Sequence, residues 1–361
     1  FIVYCKKENT TEDPVIPGGS TEFVIEGEYD SMSFKPTCFI MTSDSGFALI
    51  CNTIDGIAKV VKLDSGLKVS WVKTLGDHYL HVDGIVQNSE GNLIALGTIK
   101  DPGAGPDFVS LVLLNQDGQT IWQKNHKRAG ASIEGDAMIQ VLDKGIILSV
   151  TTCNTGGTGK TEIFRINNDG DFILAEVLSS AENYQVSEIQ FYKEQLFMKG
   201  KTNLLCADTS GIVLWTRERF CDNASRFLIT INDVLQDCGD RTEFGTNELY
   251  IYHSELDGAV LSMNFYSYGN FHKVVDQCKA TGTDYCLLIR YANKNAGPWT
   301  TAIKKMNRNQ ICIAECTLQD LGEDYPWAVG WKGNKYVYLG YLKNQQGRSG
   351  LEIRSGTCKK L

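Results

Sequence analysis

One pattern constrains this chain more than any other: a turn-and-strand unit that returns about every fifty residues. The run Val61-Lys62-Leu63-Asp64-Ser65-Gly66 leading to Trp71 recurs as Leu113-Leu114-Asn115-Gln116-Asp117-Gly118 leading to Trp122. It recurs again as Ile166-Asn167-Asn168-Asp169-Gly170 before Ile173, and as Cys206-Ala207-Asp208-Thr209-Ser210-Gly211 before Trp215. Weaker copies end at Gly258 and Asn309. The turn positions 66, 118, 170, 211, 258 and 309 are separated by 52, 52, 41, 47 and 51 residues. Asp-Gly and Ser-Gly supply the positive φ that a tight hairpin between twisted strands needs, so each copy marks a hairpin.

A second series precedes the first, in Ser45-Gly46-Phe47, Glu90-Gly91-Asn92-Leu93 and Lys144-Gly145-Ile146, with weaker turns before Leu196 and Tyr336. Each pairs a turn with an apolar strand. A unit therefore reads as strand, turn, apolar strand, variable loop, strand, turn, strand, and no helical periodicity competes with it. Units fall near 37–81, 82–131, 132–183, 184–224, 225–270, 271–322 and 323–361. The last is one strand short after Leu351-Glu352-Ile353-Arg354, whereas Thr21-Glu22-Phe23-Val24-Ile25-Glu26 alternates and has no unit of its own. The expectation is an all-β, seven-bladed β-propeller of four-stranded antiparallel blades, with the N-terminal strand completing the last blade. On these residues the chain resembles β-propellers of the quinoprotein-like or bacterial lipoprotein type. The Gly-to-Trp spacing is similar to the tryptophan-docking element of quinoprotein propellers but lacks its full Ala-x-Asp-x-x-x-Gly register, so quinone binding is not implied.

The first twenty residues stand apart. Phe1-Ile2-Val3-Tyr4 runs into Cys5-Lys6-Lys7-Glu8-Asn9, which resembles the end of a signal peptide followed by the mature start of a bacterial lipoprotein. Tyr4 departs from the small residue usual before the cut. Residues 8–20 carry Pro, Gly and charge without periodicity and read as a tether. The expected organisation is a tether over 1–20 and one propeller domain over 21–361, with Cys5 as lipid anchor in the cell envelope, on the outer membrane or in the periplasm. Most of the other cysteines sit in strand-like runs, where a thiol behaves as a small hydrophobe. Cys206–Cys221 and Cys278–Cys286 are candidate bridges. Cys312 and Cys316 have no second pair at ligand spacing, so zinc is not expected.

Composition narrows the partner. With 35 basic against 43 acidic residues the net charge is −8, which disfavours nucleic acid. Asn154-Thr155-Gly156-Gly157-Thr158-Gly159-Lys160-Thr161 imitates a phosphate loop but lacks its first Gly and joins two strands, not a strand to a helix. The acids that precede turn glycines read as turn chemistry and not as calcium ligands. Asp83, Asp136 and Glu188 recur at spacings of 53 and 52 on the first strands, where they suit bonds between blades. No cofactor or metal is expected. Candidate ligand-binding residues lie on two loop sets at one face: His78, Tyr79, His126, Arg128, Tyr184, Arg219, Tyr268, His272, Trp299 and Trp327. The function expected is non-enzymatic recognition of a protein or polysaccharide. A carbohydrate-active hydrolase or lyase, and a structural subunit of an outer-membrane complex, are the alternatives.

Overall fold

The structure, a computed structural model, describes residues 3–4, 21–26, 38–103, 105–141, 145–154, 159–167, 169–177, 186–200, 203–219, 226–229, 233–243, 246–266, 271–280, 284–292, 300–307, 312–318, 325–343 and 349–360. Contacts divide the chain into two compact units, Met32–Phe220 and Phe1–Ser31 with Cys221–Leu361. The short strands β1 (Val3–Tyr4) and β2 (Thr21–Glu26) belong to the second of these.

The Met32–Phe220 unit holds four sheets, each a meander in sequence order. They are β3 (Phe39–Met41), β4 (Phe47–Asn52), β5 (Ala58–Leu63) and β6 (Val69–Gly76); then β7 (Tyr79–Gln87), β8 (Leu93–Ile99), β9 (Phe108–Leu114) and β10 (Thr120–His126). Next come β11 (Ala131–Val141), β12 (Gly145–Asn154), β13 (Gly159–Ile166) and β14 (Phe172–Val177), and finally β15 (Glu188–Tyr192), β16 (Gln195–Lys199), β17 (Asn203–Asp208) and β18 (Val213–Glu218). The middle strands β8 and β9 are buried at every position, because sheets cover both of their faces. The fourth strands β6 and β18 alternate between half-buried and exposed residues. Each first strand packs on the sheet before it: β7 on β3, β4 and β5, β11 on β7, β8 and β9, and β15 on β11. The resulting core runs through Ile50, Leu96, Leu111 and Leu148, with a second cluster around Ile147, Leu196 and Leu205.

The second unit holds three sheets. β19 (Leu228–Ile229), β20 (Val234–Glu243), β21 (Thr246–Glu255) and β22 (Val260–Tyr266) form one; β23 (Phe271–Lys279), β24 (Tyr285–Ala292), β25 (Thr300–Met306) and β26 (Cys312–Leu318) form the next. The last comprises β27 (Tyr325–Lys332), β28 (Lys335–Lys343), β29 (Ser349–Gly356) and β2, with Thr21 opposite Ser355 and Glu26 opposite Gly350. Seven antiparallel sheets among the described residues make the fold a seven-bladed β-propeller whose last blade takes its fourth strand from the N-terminus. Two additions go beyond the sequence reading. β1 pairs with β2 as a fifth strand of the last sheet, and β30 (Lys359–Lys360) pairs with β26 as a fifth strand of the sheet before it.

The recurrent turns follow one design, with one shift from expectation. The side-chain oxygen of the first turn residue accepts the backbone N–H groups two and four residues on: Asp64 from Gly66 and Lys68 at 2.8 and 2.9 Å, and Asn115 from Asp117 and Gln119 at 3.0 and 2.8 Å. Asn167 and Asp208 repeat the pattern. Asp64, and Asp257 through Ala259 N at 2.8 Å, carry the turn chemistry expected of the acids before turn glycines, whereas in the second and third sheets the capping oxygen belongs to Asn115 and Asn167 and not to Asp117 or Asp169. The third residue after each of Asp64, Asn115, Asn167 and Asp208 holds the left-handed conformation, and a register shift follows it in the ladder. That residue is Gly at 118, 170 and 211, and Gly258 holds the same conformation in the turn that follows Glu255. In the first sheet it is not Gly66, as the sequence suggested, but Leu67, with φ of 65°. The count runs from the capping Asp64, and the glycine there arrives one residue early.

Candidate functional site

In a meander, the loop between second and third strands and the connection to the next sheet lie at the same end of the sheet. The Met32–Phe220 unit describes this end best. Asp101 fixes the β8–β9 loop: its Oδ1 accepts Gly103 N at 2.8 Å and its Oδ2 accepts Lys127 Nζ at 2.7 Å. The Lys127 bond above all, helped by Gly103, holds the Asp101 carboxyl below the ordinary carboxylate range. Lys127 itself lies 4.2 Å over the Phe108 ring. Its neighbour Arg128 reaches into the following sheet, donating from Nη1 to Thr152 Oγ1 at 3.1 Å and to the buried Glu162 carboxylate, which also accepts from Thr152. Arg219 repeats the Lys127 arrangement more weakly, with Nη1 donating to Gly200 O at 3.3 Å across its own sheet's loop. His78 is exposed, holds φ of 64° and lies 3.7 Å from Asp77.

Other residues singled out in the sequence serve packing. Tyr79 is 4% exposed, and Asn52 and Gly56 of the preceding sheet bond its backbone at 3.0 Å each. Its ring fills the space that a side chain at Gly97 would need, and its hydroxyl bonds Ser110 Oγ at 3.3 Å. Burial raises the phenol's pKa against that bond. Trp327 is 5% exposed and stacks on Tyr341 at 6.0 Å. His126 turns toward the next sheet's β13–β14 turn. There it stacks on Phe172 at 3.6 Å, and its Nε2 meets Gly170 O at 3.1 Å. Burial lowers its pKa, so the ring is neutral at pH 7. It completes a row with Trp122, whose ring lies against Gly170, and Lys124, which bonds Asp171 at 3.0 Å. Trp71 docks the same way, with its ring on Gly118 and Nε1 donating to Gln116 O at 2.8 Å. The Gly-to-Trp spacing therefore encodes a staple from β6 and from β10 to the next sheet's turn.

Tyr184, Tyr268, Trp299 and Cys5 lie outside the described residues, and His272 is placed only by its backbone register on β23, opposite Tyr291. Lys160 and Thr161, which end the phosphate-loop imitation, lie on strand β13.

The recurrent first-strand acids are buried bonding centres. Asp83 takes His81 Nδ1 at 2.7 Å and Thr98 Oγ1 at 3.2 Å, and Thr98 accepts Gly135 N from the next sheet at 3.0 Å. Asp136 accepts Thr151 Oγ1 at 2.8 Å. Sequence reasoning missed a stronger member of this set. Asp276 is fully buried and accepts Arg226 Nε and Nη2 at 3.0 and 2.6 Å and Val329 N at 2.9 Å, which joins the three sheets of the second unit. The signal was present as an acid on a first strand. Asp276, however, pairs opposite Leu288 just after a bulge, whereas Asp83 is itself the bulged residue, so the spacing breaks.

At the loop end, then, the half-exposed cations Lys127 and Arg128 are held at fixed positions by acids that are themselves mostly buried. Such a surface is equipped for recognition of a partner that presents acids. No protein-family model and no curated protein matches the chain. Among solved structures, the Pan2 WD40 domain of Neurospora crassa is similar with a TM-score of 0.58 at 11% identity, over 92% of this chain and 91% of that one. A protein of unknown function from Bacteroides caccae has a TM-score of 0.48 at 10% identity, over 76% of this chain and 94% of its own. A putative 6-phosphogluconolactonase from Bacteroides fragilis NCTC 9343 has a TM-score of 0.48 at 12% identity, over 85% and 100% of the two chains. The Pan2 likeness is one of fold: the chain shares the β-propeller architecture of that domain.

Proposed function

We propose that this propeller is a non-enzymatic binding module that recognises a protein through the loop end of its sheets, and that it is exported and held at a cell envelope by Cys5. The observation that carries the recognition reading is the pair of opposite-charge contacts Lys127–Asp101 and Arg128–Glu162, set side by side with half-exposed cations. Side chains already held in place lose little freedom on binding, and two fixed, half-exposed cations favour a protein surface that presents acids at matching positions. A polysaccharide is favoured by exposed ring faces, and the two loop aromatics whose side chains are described, Tyr79 and Trp327, are buried. That preference points to protein. The export reading is supported by Cys5-Lys6-Lys7-Glu8-Asn9 and the polar tract behind it.

The recognition reading is tested by capture of envelope proteins on the wild-type chain and on Lys127→Ala/Arg128→Ala. A protein held by the wild type and bound at least about tenfold more weakly by the variant is the expected result. Equal binding by both, or retention of glycans alone, discards it. The anchor is checked separately: the wild type should partition into detergent and Cys5→Ser should not.

A further inference from the structure

The last two sheets of the second unit concentrate thiols. Cys278 and Cys286 lie in one apolar cluster with Leu288, Val329 and Tyr336, and Cys316 and Cys358 pack against it. Three of the neighbouring thiols are directed at oxygen atoms: Cys316 Sγ bonds Tyr336 Oη at 3.3 Å, Cys312 Sγ donates to Ala314 O at 3.5 Å, and Cys358 Sγ to Ile303 O at 3.7 Å. Cys278 and Cys286 are different. They stand directly opposite each other in the β23–β24 ladder, within the same buried cluster. Opposed residues in an antiparallel pair have Cα atoms about 4.5–5.5 Å apart and side chains on one face. A disulfide spans Cα separations of about 4.4–6.8 Å, so the register puts this pair within the range a bridge covers.

We propose that Cys278 and Cys286 are a redox-active dithiol that closes to a cross-strand disulfide by exchange with a small-molecule disulfide. Cys278 is the entry point, at the accessible edge of the cluster beside exposed Lys279, while Cys286 is fully buried. The Cys278 thiolate attacks glutathione disulfide, forms a mixed disulfide and releases one glutathione thiolate. The Cys286 sulfur, on losing its proton, attacks Cys278 Sγ and displaces the second glutathione. The pair gives up two electrons and two protons, and one glutathione disulfide becomes two thiols. Burial, with Cys278 alongside, raises the Cys286 thiol well above its ordinary pKa, so the second step quickens with pH. The pair does not depend on the export reading, since it rests on register alone.

The test uses the purified full chain in reduced form, treated with glutathione disulfide, quenched by alkylation and digested with trypsin. Lys279 separates the two cysteines, so cleavage there leaves fragments 274–279 and 280–290 joined only by the disulfide. The expected result is one linked species that reductant separates, formed roughly tenfold faster per pH unit over neutral to mildly alkaline pH. Cys278→Ser, at the cluster's edge, keeps its near-ultraviolet circular dichroism and yields no linked species. Recovery of both fragments separately alkylated, or of Cys286 linked to Cys358, overturns the proposal. So does a cross-link pattern in the folded protein no more selective than that formed in urea.

Discussion

At Gly118 and Gly170 the backbone holds φ of 77° and 83°, and the rings of Trp71 and Trp122 stand 2.8 Å from where a Cβ would be. Conformation and space both exclude a side chain, so Gly118→Ala should lower stability by about 2–3 kcal/mol in urea unfolding. Ser45 is the converse case, an exposed serine held at φ of 63° with no ring above it, and Ser45→Gly should raise stability by about 0.5–1 kcal/mol. Asp276→Asn leaves Arg226 facing a neutral group among three sheets. It should cost about 3–5 kcal/mol, seen as lost amide protection on β23 and β27. The sequence shows the glycine and tryptophan members of these contacts plainly, because turn chemistry and large rings repeat. It does not show Arg226–Asp276, since neither residue repeats, nor that Tyr79 is a packing residue, since burial depends on which sheet covers it.

Among elements, the turns and middle strands of the first sheets were legible, because capped turns recur there and strands such as β8 and β9 are largely apolar. β2 was legible for a different reason: it alternates, and the last sheet lacked a strand. β1 and β30 were not, since two residues carry no period, and Lys359–Lys360 reads as a solvated end. Their roles follow from position: each covers the open side of a fourth strand, which is otherwise a template for pairing with another chain. Removal of residues 1–26 takes away both β1 and β2 and bares β29. The truncated chain should self-associate, with a larger mass by light scattering at micromolar concentration and a lower melting temperature than the full chain.

For the whole molecule, acid stability is set in part by two half-buried imidazole rings. Burial lowers the pKa of His126 and of His253, which sits 2.9 Å from Gln236 Oε1. Their unfolded forms take up protons near pH 6.5 while the folded forms do not, so the unfolded state binds more protons below that value. Their contribution is complete above pH 6.5 and is lost as pH falls below it toward the folded pKa values. The urea midpoint should therefore decline with acidification from pH 6.5, and His253→Gln should flatten that decline. The two compact units also bear on how the molecule is made. Thr21 pairs with Ser355, so roughly three hundred residues or more are synthesised between one side of the last sheet and the other. At about 5–20 residues per second a ribosome takes on the order of a quarter-minute to a minute to span that gap. Throughout that interval β2 lacks its neighbour β29, and the last sheet cannot close until Ser355 has been made. Any chaperone or translocation channel that engages β2 within that interval meets it outside its sheet.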